Sequence, residues 1–461
     1  MPDRALEPHA SSFRDPSGFV FFRDGVPYRQ VNLSHKEDYE HLISSGLYEK
    51  LSSEQLLVPH EEVDGSLACT DEAFCVLRPD VLPFISYPYE WCFSQLKAAA
   101  LTTLRIQLLA LDHGMSLRDA SAYNIQFRDG GPILVDTLSF ERFREGAPWV
   151  AYKQFCQHFL APLSMMALRD ERLGQLLKCY VDGIPLDLAG SLLPARSRLH
   201  PSLAMNLHMH AKSQQRRRGV AKQKTVRRVS KRALRGLVDS LEAGVKNLSW
   251  EPTQTEWAAY YSAGESYSQA ALDHKKELVA GFLEQVSPRT VWDLGANTGL
   301  FSRIAAEGGA FTVSLDADHS SVELNYRSAL EREETLLLPL LQDVTNPSPG
   351  IGWANRERDS FAERGPADAL LALALVHHLA IANNVPLERI AETLASWGSW
   401  LIIEFIPKSD PQVQEMLAFR EDIFVKYGED GFRVAFDRWF SIESEQAIKD
   451  SQRTLFLMRA H

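Results

Sequence analysis

Short apolar runs that end in polar residues dominate the second half of the chain. They cover residues 290–292, 311–315, 336–341, 368–376 and 399–403. Such runs, bounded by turn-forming residues, are typical of buried strands. The turn after the first run opens a helix, so strand and helix patterns alternate. This alternation predicts an α/β fold with a mostly parallel sheet.

The first half of the chain carries a different pattern. Residues from Lys97 to His113 have the spacing of an amphipathic helix, and Gly114 ends it. A later turn at Asp129–Pro132 leads into the apolar run Ile133-Leu-Val, which ends in Asp136. This combination of a long helix and a short strand differs from the regular alternation of the second half.

The turn between the first two apolar runs has the residues of a nucleotide-type site. Asp293 ends the first run, Gly295 and Gly299 bound the turn around Asn297, and Asp316 ends the second run. The glycines let the backbone approach a ligand, and the new helix offers free N–H groups there. Asp316 would accept hydrogen bonds from ribose hydroxyls. A βαβ turn that binds no ligand is the alternative.

The spacing of this motif resembles the first motif of class I methyltransferases. It reads D-x-G-x-x-x-G, whereas a dinucleotide fingerprint reads G-x-G-x-x-G. The acid before the first glycine would repel a pyrophosphate but suits the ammonium and sulfonium groups of S-adenosylmethionine. The resemblance implies a Rossmann-like domain with a mostly parallel, seven-stranded sheet. It also implies that S-adenosylmethionine is bound by Asp293, Gly295, Asn297, Gly299 and Asp316.

Later segments continue the resemblance in chain order. It implies that Asp343 and Val344, after the third run, contact the adenine ring. His377 and His378 follow the fourth run, where one of them could act as a general base. A buried histidine with satisfied hydrogen bonds is the equal alternative. A zinc pair is disfavoured, because adjacent side chains should point apart. An N-P-P-Y signature for amide or amino acceptors is missing here, which favours an oxygen acceptor.

Aromatic residues precede the first run. In the resembled family such a leader often folds over the cofactor, and core packing is the alternative. The four aromatic residues are Trp257, Tyr260, Tyr261 and Tyr267.

The first half also contains a catalytic-type constellation. Arg118-Asp119 is followed by Asn124 and, after the predicted hairpin, by Asp136. This order resembles the catalytic segment of protein-kinase-like phosphotransferases, H-R-D-x-x-x-x-N and then a strand that ends in Asp. The resemblance implies that Asp119 accepts the proton of an attacking hydroxyl. It also implies that Asn124 and Asp136 hold Mg²⁺ against the phosphates of ATP.

Departures from the phosphotransferase pattern leave its activity open. Leu117 replaces the loop histidine, Thr137-Leu138 replaces Phe-Gly, and no clear glycine-rich loop precedes the motif. Arg29 stands where a phosphate-binding lysine is expected. The site either transfers phosphate or is a degenerate binding scaffold. In a third interpretation, Asp119 and Asn124 form turns and Asp136 caps a strand end.

Composition limits the partners and the compartment. The net charge of −11 argues against wholesale nucleic-acid binding. No apolar stretch reaches transmembrane length, and the N-terminus lacks the apolar core of a signal peptide. The five cysteines have no metal-type spacing, which predicts reduced thiols in a cytoplasmic protein. Residues 212–235 carry eleven Lys or Arg and no acid, as in a solvated linker or a weak contact for an anionic surface.

These observations predict three segments: a kinase-like α+β domain at 10–205, a basic linker with a helix at 206–250, and a methyltransferase domain at 251–461. The whole arrangement, with D-A-S-A-Y-N at Asp119–Asn124, resembles a bacterial methyltransferase family related to nodulation proteins. It implies O-methyl transfer to a small molecule or glycan. The alternatives are a bifunctional kinase–methyltransferase that modifies a glycan or glycolipid, and a non-catalytic ligand-binding adaptor.

Overall fold

The chain divides into two compact units. The computed structural model describes residues 8–209, 228–253, 267–418 and 421–461. The first unit holds the described residues up to Glu251 together with Gly350–Arg358. The second unit holds the described residues of Pro252–Pro349 and Asp359–His461. Residues 350–358, which the sequence placed in the methyltransferase domain, therefore pack with the first unit.

A four-stranded antiparallel sheet begins the first unit, in the order β1-β2-β4-β3. Its strands are β1 (Gly18–Arg23), β2 (Val26–Asn32), β3 (His60–Val63) and β4 (Ala73–Pro79). The β1–β2 hairpin forms because Asp24 and Gly25 both take the left-handed conformation that a tight two-residue turn requires. Two helices after β2, Lys36–Ser44 and Leu47–Ser53, bury one face each.

A long helix, Phe93–Asp112, follows the sheet. It begins at Phe93 rather than at the predicted Lys97, because Gln95 caps its start: the Cys92 N–H donates to Gln95 Oε1 at 3.0 Å. It ends just before Gly114, whose φ is +73°.

Short strands after this helix position the predicted catalytic segment. Strand β5 (Met115–Leu117) pairs with β8 (Phe140–Arg142), and β6 (Ile125–Arg128) forms a hairpin with β7 (Gly131–Leu134). The Val135 N–H donates to the Asn124 carbonyl at 2.9 Å. The two ends of the hairpin therefore bring Asn124 and Asp136 to one place.

The rest of the first unit is helical. The Lys97 ammonium donates to the carbonyl groups of Lys246 and Leu248, at 3.0 and 2.7 Å. These bonds join the end of the helix Lys231–Lys246 to the long helix Phe93–Asp112. Part of the predicted linker is therefore helix within this unit. Residues 210–227 lie outside the described residues, so contact of the basic segment with an anionic surface stays a prediction. The helices are Tyr152–Phe155, Ala161–Leu168, Leu176–Cys179, Leu186–Leu192, Pro201–Leu203 and Lys231–Lys246, with π-helical turns at Cys156–Leu160 and Ala204–His208.

The second unit is built on a mixed seven-stranded sheet, in the order β11-β10-β9-β12-β13-β15-β14. Strands β9 to β13 run parallel, and β15 is antiparallel to both neighbours. The prediction of an α/β fold is confirmed. The strands are β9 (Thr290–Leu294), β10 (Phe311–Asp316), β11 (Leu337–Leu341), β12 (Ala367–Ala372), β13 (Gly398–Phe405), β14 (Phe440–Ala447) and β15 (Thr454–Ala460).

The strand order of this sheet reverses between β9 and β12. In open α/β sheets, ligands bind outside the carboxyl ends of the strands at such a reversal. The carboxyl ends of β9, β10, β12 and β13 share one edge because these strands are parallel. This edge is therefore the expected position of a ligand-binding site.

Helices connect and flank the strands of the second unit. Among the residues that the structure describes, no helix has both the length and the apolarity that a membrane crossing requires. The helices are Gln269–Val286, Leu300–Glu307, His319–Glu331, Leu387–Trp397, Pro411–Ala418 and Glu429–Asp437, with a π-helical turn at His378–Ala382.

Candidate functional site

The glycine turn after β9 is tightly packed. Gly295, Asn297 and Gly299 have φ of +74°, +53° and +80°, a conformation that favours glycine and asparagine. A Cβ on Gly299 would lie 2.4 Å from Asn325 Oδ1, so no other residue fits there without displacement. The N–H groups of Gly295 and Ala296 both donate to the Leu315 carbonyl at 2.9 Å, which fixes the turn to β10.

Asp316, at the end of β10, lies against this turn. Its Oδ2 accepts from the Asn297 N–H at 2.7 Å, and its Oδ1 accepts from the Asp318 N–H at 2.8 Å. Burial raises the pKa of Asp316 to about 6. The structure thus brings a carboxylate and a glycine-bounded helix start together at the strand reversal.

Asp293 lies beneath the turn rather than on its surface. It is 2% exposed and accepts from the Ser302 hydroxyl at 2.6 Å. Ser302 is in the helix that the turn opens, so this bond joins helix and strand. Burial raises the pKa of Asp293 to about 7. Its predicted contact with a cationic ligand stays a prediction.

Asp343 and Val344 follow β11 on the same edge of the sheet. Asp343 is exposed, and its Oδ1 accepts from the Thr345 N–H at 2.8 Å and the Thr345 hydroxyl at 2.6 Å. The preceding Gln342, which the sequence analysis did not single out, has a buried side chain. Its Nε2 has no hydrogen-bond partner among the described residues, so it is a further polar group at this edge.

The paired histidines follow β12, and the expectation that their side chains point apart is wrong. Their ring centroids are 4.2 Å apart, because they begin a helical turn rather than continue a strand. His377 is fully buried, and neither ring nitrogen has a hydrogen-bond partner among the described residues. Burial, then His378, Arg453 and Lys275, lowers the pKa of His377 well below its usual value. Burial lowers the pKa of His378 to about 4, so both rings are neutral near pH 7.

A buried charged cluster beside the histidines escaped the sequence analysis. Lys275 and Glu404 are fully buried and form an ion pair, Nζ to Oε2, at 2.7 Å. The Tyr267 hydroxyl donates to Glu404 Oε1 at 2.6 Å and accepts from Lys275 at 3.0 Å. Lys275 stands between the buried Ala271 and Val279 on the apolar face of its helix. A lysine among the apolar positions of a helix is the one local sequence signal that indicated a buried charge here.

Of the aromatic leader, only Tyr267 is among the described residues. It lies in this cluster rather than free at the surface. Trp257, Tyr260 and Tyr261 lie outside the described residues.

The predicted phosphotransfer residues of the first unit come together. The Ser139 hydroxyl donates to Asp136 Oδ2 at 2.6 Å, and the Asn124 amide donates to Ser139 Oγ at 3.2 Å. Asp119 accepts from the Ser121 N–H at 2.9 Å and bonds the Asn124 side chain. Burial and the nearby Asp136 raise the pKa of Asp119.

Arg29 joins this cluster through an ion pair. Its Nη2 lies 2.5 Å from Asp136 Oδ1, which also accepts from the Leu138 N–H at 3.0 Å. Both oxygens of Asp136 are therefore bonded within the protein. Across the described ranges, no group of three or more His, Cys, Asp or Glu side chains is arranged to hold a metal ion.

The segment Gly350–Arg358 contacts the same region of the first unit. The Arg358 guanidinium lies 4.6 Å from the ring centroid of Tyr123, the residue before Asn124. Arg14 Nε lies 2.6 Å from Oε1 of the buried Glu357. No local pattern in the sequence indicated this packing.

Comparison with known proteins gives one strong match. The chain is 37% identical over 456 residues to the nodulation protein NoeA of Rhizobium meliloti (strain 1021), covering 97% of this chain and 95% of NoeA. The chain belongs to the NoeA family. No protein-family model matches it.

Two solved structures show distant likeness to this member of the NoeA family. A magnesium protoporphyrin IX methyltransferase from Synechocystis PCC 6803 with bound SAH is 18% identical, with 41% of this chain and 84% of that chain covered and a TM-score of 0.31. The bifunctional kinase–methyltransferase WbdD is 16% identical, with 44% and 42% covered and a TM-score of 0.30.

Proposed function

We propose that the second unit is an S-adenosylmethionine-dependent methyltransferase that acts on an oxygen of a small molecule or glycan. The observation that supports this most is the position of Asp316 against the turn Gly295–Gly299, at the strand reversal of the sheet. A ribose hydroxyl can donate to such a carboxylate, and the helix that the turn opens offers free backbone N–H groups beside it.

In this proposal the chain's own residues bind and align. Asp316 holds the ribose, and the backbone of Gly295, Asn297 and Gly299 lines the ligand. Asp343 and Val344 flank the adenine, while Asp293 supports the turn from below. Bound S-adenosylmethionine would supply an electrophilic methyl group.

His377 and His378 lie at the acceptor end of the proposed site. Because both rings are neutral near pH 7, they can accept a hydrogen bond from an acceptor hydroxyl and orient it. Alignment of nucleophile and electrophile can contribute about 7–11 kcal/mol to lowering a reaction barrier.

Isothermal titration of the full chain tests the proposal. S-adenosylmethionine should bind in the micromolar range, and Gly295→Arg should abolish binding by filling the turn. Gly281→Arg is the matched control, since Gly281 is an exposed helix position with open space around it, and it should bind normally. Tight binding of NAD without any response to S-adenosylmethionine would refute the proposal.

A second function is favoured by the chain of hydrogen bonds that links Asp119 to Asn124, Asn124 to Ser139, and Ser139 to Asp136. It makes the protein a bifunctional kinase–methyltransferase with Mg·ATP in the first unit. Mg·ATP should then raise the melting temperature, and Asp136→Ala should remove that shift while Asp119→Ala keeps it. If Mg·ATP causes no shift in the wild type, the first unit is better explained as a non-catalytic scaffold that binds substrate.

A further inference from the structure

The turn that carries the paired histidines is conformationally strained. Ala374, two residues beyond β12, has φ of +51°, a left-handed conformation that residues with a Cβ rarely adopt. Leu375 follows, and its Cδ1 would lie 3.3 Å from a Cβ on Gly295. This turn therefore lies between the glycine turn on one side and His377 on the other. It persists only if other groups hold it.

Glu404, at the end of the neighbouring strand β13, holds that turn. Its Oε2 accepts from the Ala374 N–H at 2.8 Å and from Lys275 Nζ at 2.7 Å. Its Oε1 accepts from the Tyr267 hydroxyl at 2.6 Å. The carboxylate thus bonds the strained residue directly, and two other side chains restrict its own position.

The surroundings of Glu404 favour its ionised form. Burial alone would raise the pKa of Glu404, but Lys275 and Arg453 lower it below its usual value. An ionised carboxylate forms a stronger bond to a backbone N–H than a neutral acid does. Arg453 is held in turn by Asp410, Nε to Oδ2, at 2.7 Å, and its guanidinium lies 4.3 Å from the Tyr267 ring centroid.

We propose that Glu404 is a positioning residue of the methyltransferase site. Its carboxylate holds the turn at Ala374, so that Leu375 stays against Gly295 and the His377–His378 pair stays at the ligand edge of the sheet. The inference rests on the proposed function, because it is cofactor binding that the positioning serves. A purely structural ion pair would stabilise the unit without any specific effect on this turn.

The test replaces the whole pair, Lys275→Met with Glu404→Leu, in the full chain. Exchange of a buried ion pair for apolar residues of similar size often preserves folding, whereas removal of one partner leaves a buried charge. Hydrogen exchange should rise in the peptide that contains Ala374 and the histidines. S-adenosylhomocysteine binding, measured by calorimetry, should weaken by about tenfold or more.

Rescue and control variants separate positioning from stability. Adding Ala374→Gly to the double variant should restore part of the exchange protection and of the affinity, since glycine adopts positive φ without strain. The matched control replaces another ion pair of the same unit that has a buried carboxylate, Arg327→Met with Glu323→Leu, and should leave exchange at Ala374 near the wild-type rate. If the double variant does not fold, Tyr267→Phe takes its place in the same exchange and binding measurements. This substitution removes one hydrogen bond to Glu404.

The outcomes are distinct. Unchanged exchange at Ala374, an equal rise in the control, or no restoration by Ala374→Gly would overturn the positioning role. If the wild type binds neither S-adenosylmethionine nor S-adenosylhomocysteine, the proposed function fails, and the exchange comparison still decides whether Glu404 holds the turn.

Discussion

Two carboxylates in this chain, Asp316 and Asp136, are both at strand ends but are held by different partners. Asp316 is bonded by backbone N–H groups, which carry no net charge. Asp136 is bonded by the guanidinium of Arg29 as well as by Ser139. The charge of Asp316 therefore remains available to a ligand's donors, whereas a cation at Asp136 must compete with an arginine.

The difference also reflects the type of sheet in which each carboxylate lies. Asp316 is at the open edge where a parallel sheet changes direction, and that edge is set by topology. Asp136 faces an antiparallel sheet whose strand β2 supplies Arg29. Strand-end acids are therefore not equivalent: their partners across the fold decide whether they are binding groups or ion-pair members.

The largest effect should come from breaking the ion pair in the first unit. Arg29 and Asp136 side chains are each 13% exposed, so Arg29→Met should lower the free energy of unfolding by about 2–4 kcal/mol, because it leaves a mostly buried carboxylate unpaired. Urea unfolding measures this. Arg78→Met, at a pair with Glu61 in which both side chains are at least half exposed, is the control and should change stability little. Equal losses in the two variants would contradict the comparison.

A smaller effect is expected at the glycine turn. Asp316→Ala should weaken S-adenosylhomocysteine binding by about 1–3 kcal/mol through the lost charged hydrogen bonds. Calorimetry compares it with Asp343→Ala, whose exposed carboxylate should matter less. A greater loss in Asp343→Ala would mean that the adenine side, not the ribose side, dominates recognition.

The last effect concerns pH, and it is a slope rather than a loss at a single pH. An unfolded aspartate titrates near 3.8 and Asp293 in the folded unit near 7, so between these values the folded state keeps a proton that the unfolded state has lost. The free energy of unfolding therefore falls as pH rises through that window. Asp293→Asn should remove a slope of at most about 1.4 kcal/mol per pH unit. Thermal unfolding at several pH values measures the slope; an unchanged slope would show that Asp293 ionises as an ordinary acid.

His377 contributes to the same measurement with the opposite sign. Its folded pKa is lowered, so the unfolded state binds the extra proton below about pH 6.5 and stability rises with pH there. The difference between wild type and Asp293→Asn cancels this term, since both proteins keep the histidine. The contribution of Asp293 to the pH dependence of unfolding can thus be measured separately.

Local signals explain what the sequence could predict. Each strand of the parallel set shows as a short apolar run, and the turn Gly295–Gly299 with Asp316 is readable because its parts lie within some two dozen residues. The hairpin from Asn124 to Asp136 is equally local. Its glycines and its alternating apolar residues specify the turn and the strands without help from the rest of the fold.

Pairings between distant residues could not be read in this way. Lys275 and Glu404 are far apart in the chain, and only the sheet order brings the end of β13 to that helix. The close histidine rings depend on the helical turn that the pair begins. Arg29 was identified only as a basic residue in the place of a phosphate-binding lysine, and nothing local indicated that it would form an ion pair with Asp136.

The segment Gly350–Arg358 makes the first unit discontinuous in the sequence. A chimaera with a single crossover near residue 251 would combine Arg14 and Tyr123 of one parent with Glu357 and Arg358 of another. Mismatch at the buried Glu357 would leave a charge unpaired. Viable recombinants should therefore carry a second pair of crossovers around residues 350–358, so that this short stretch is inherited with the N-terminal half.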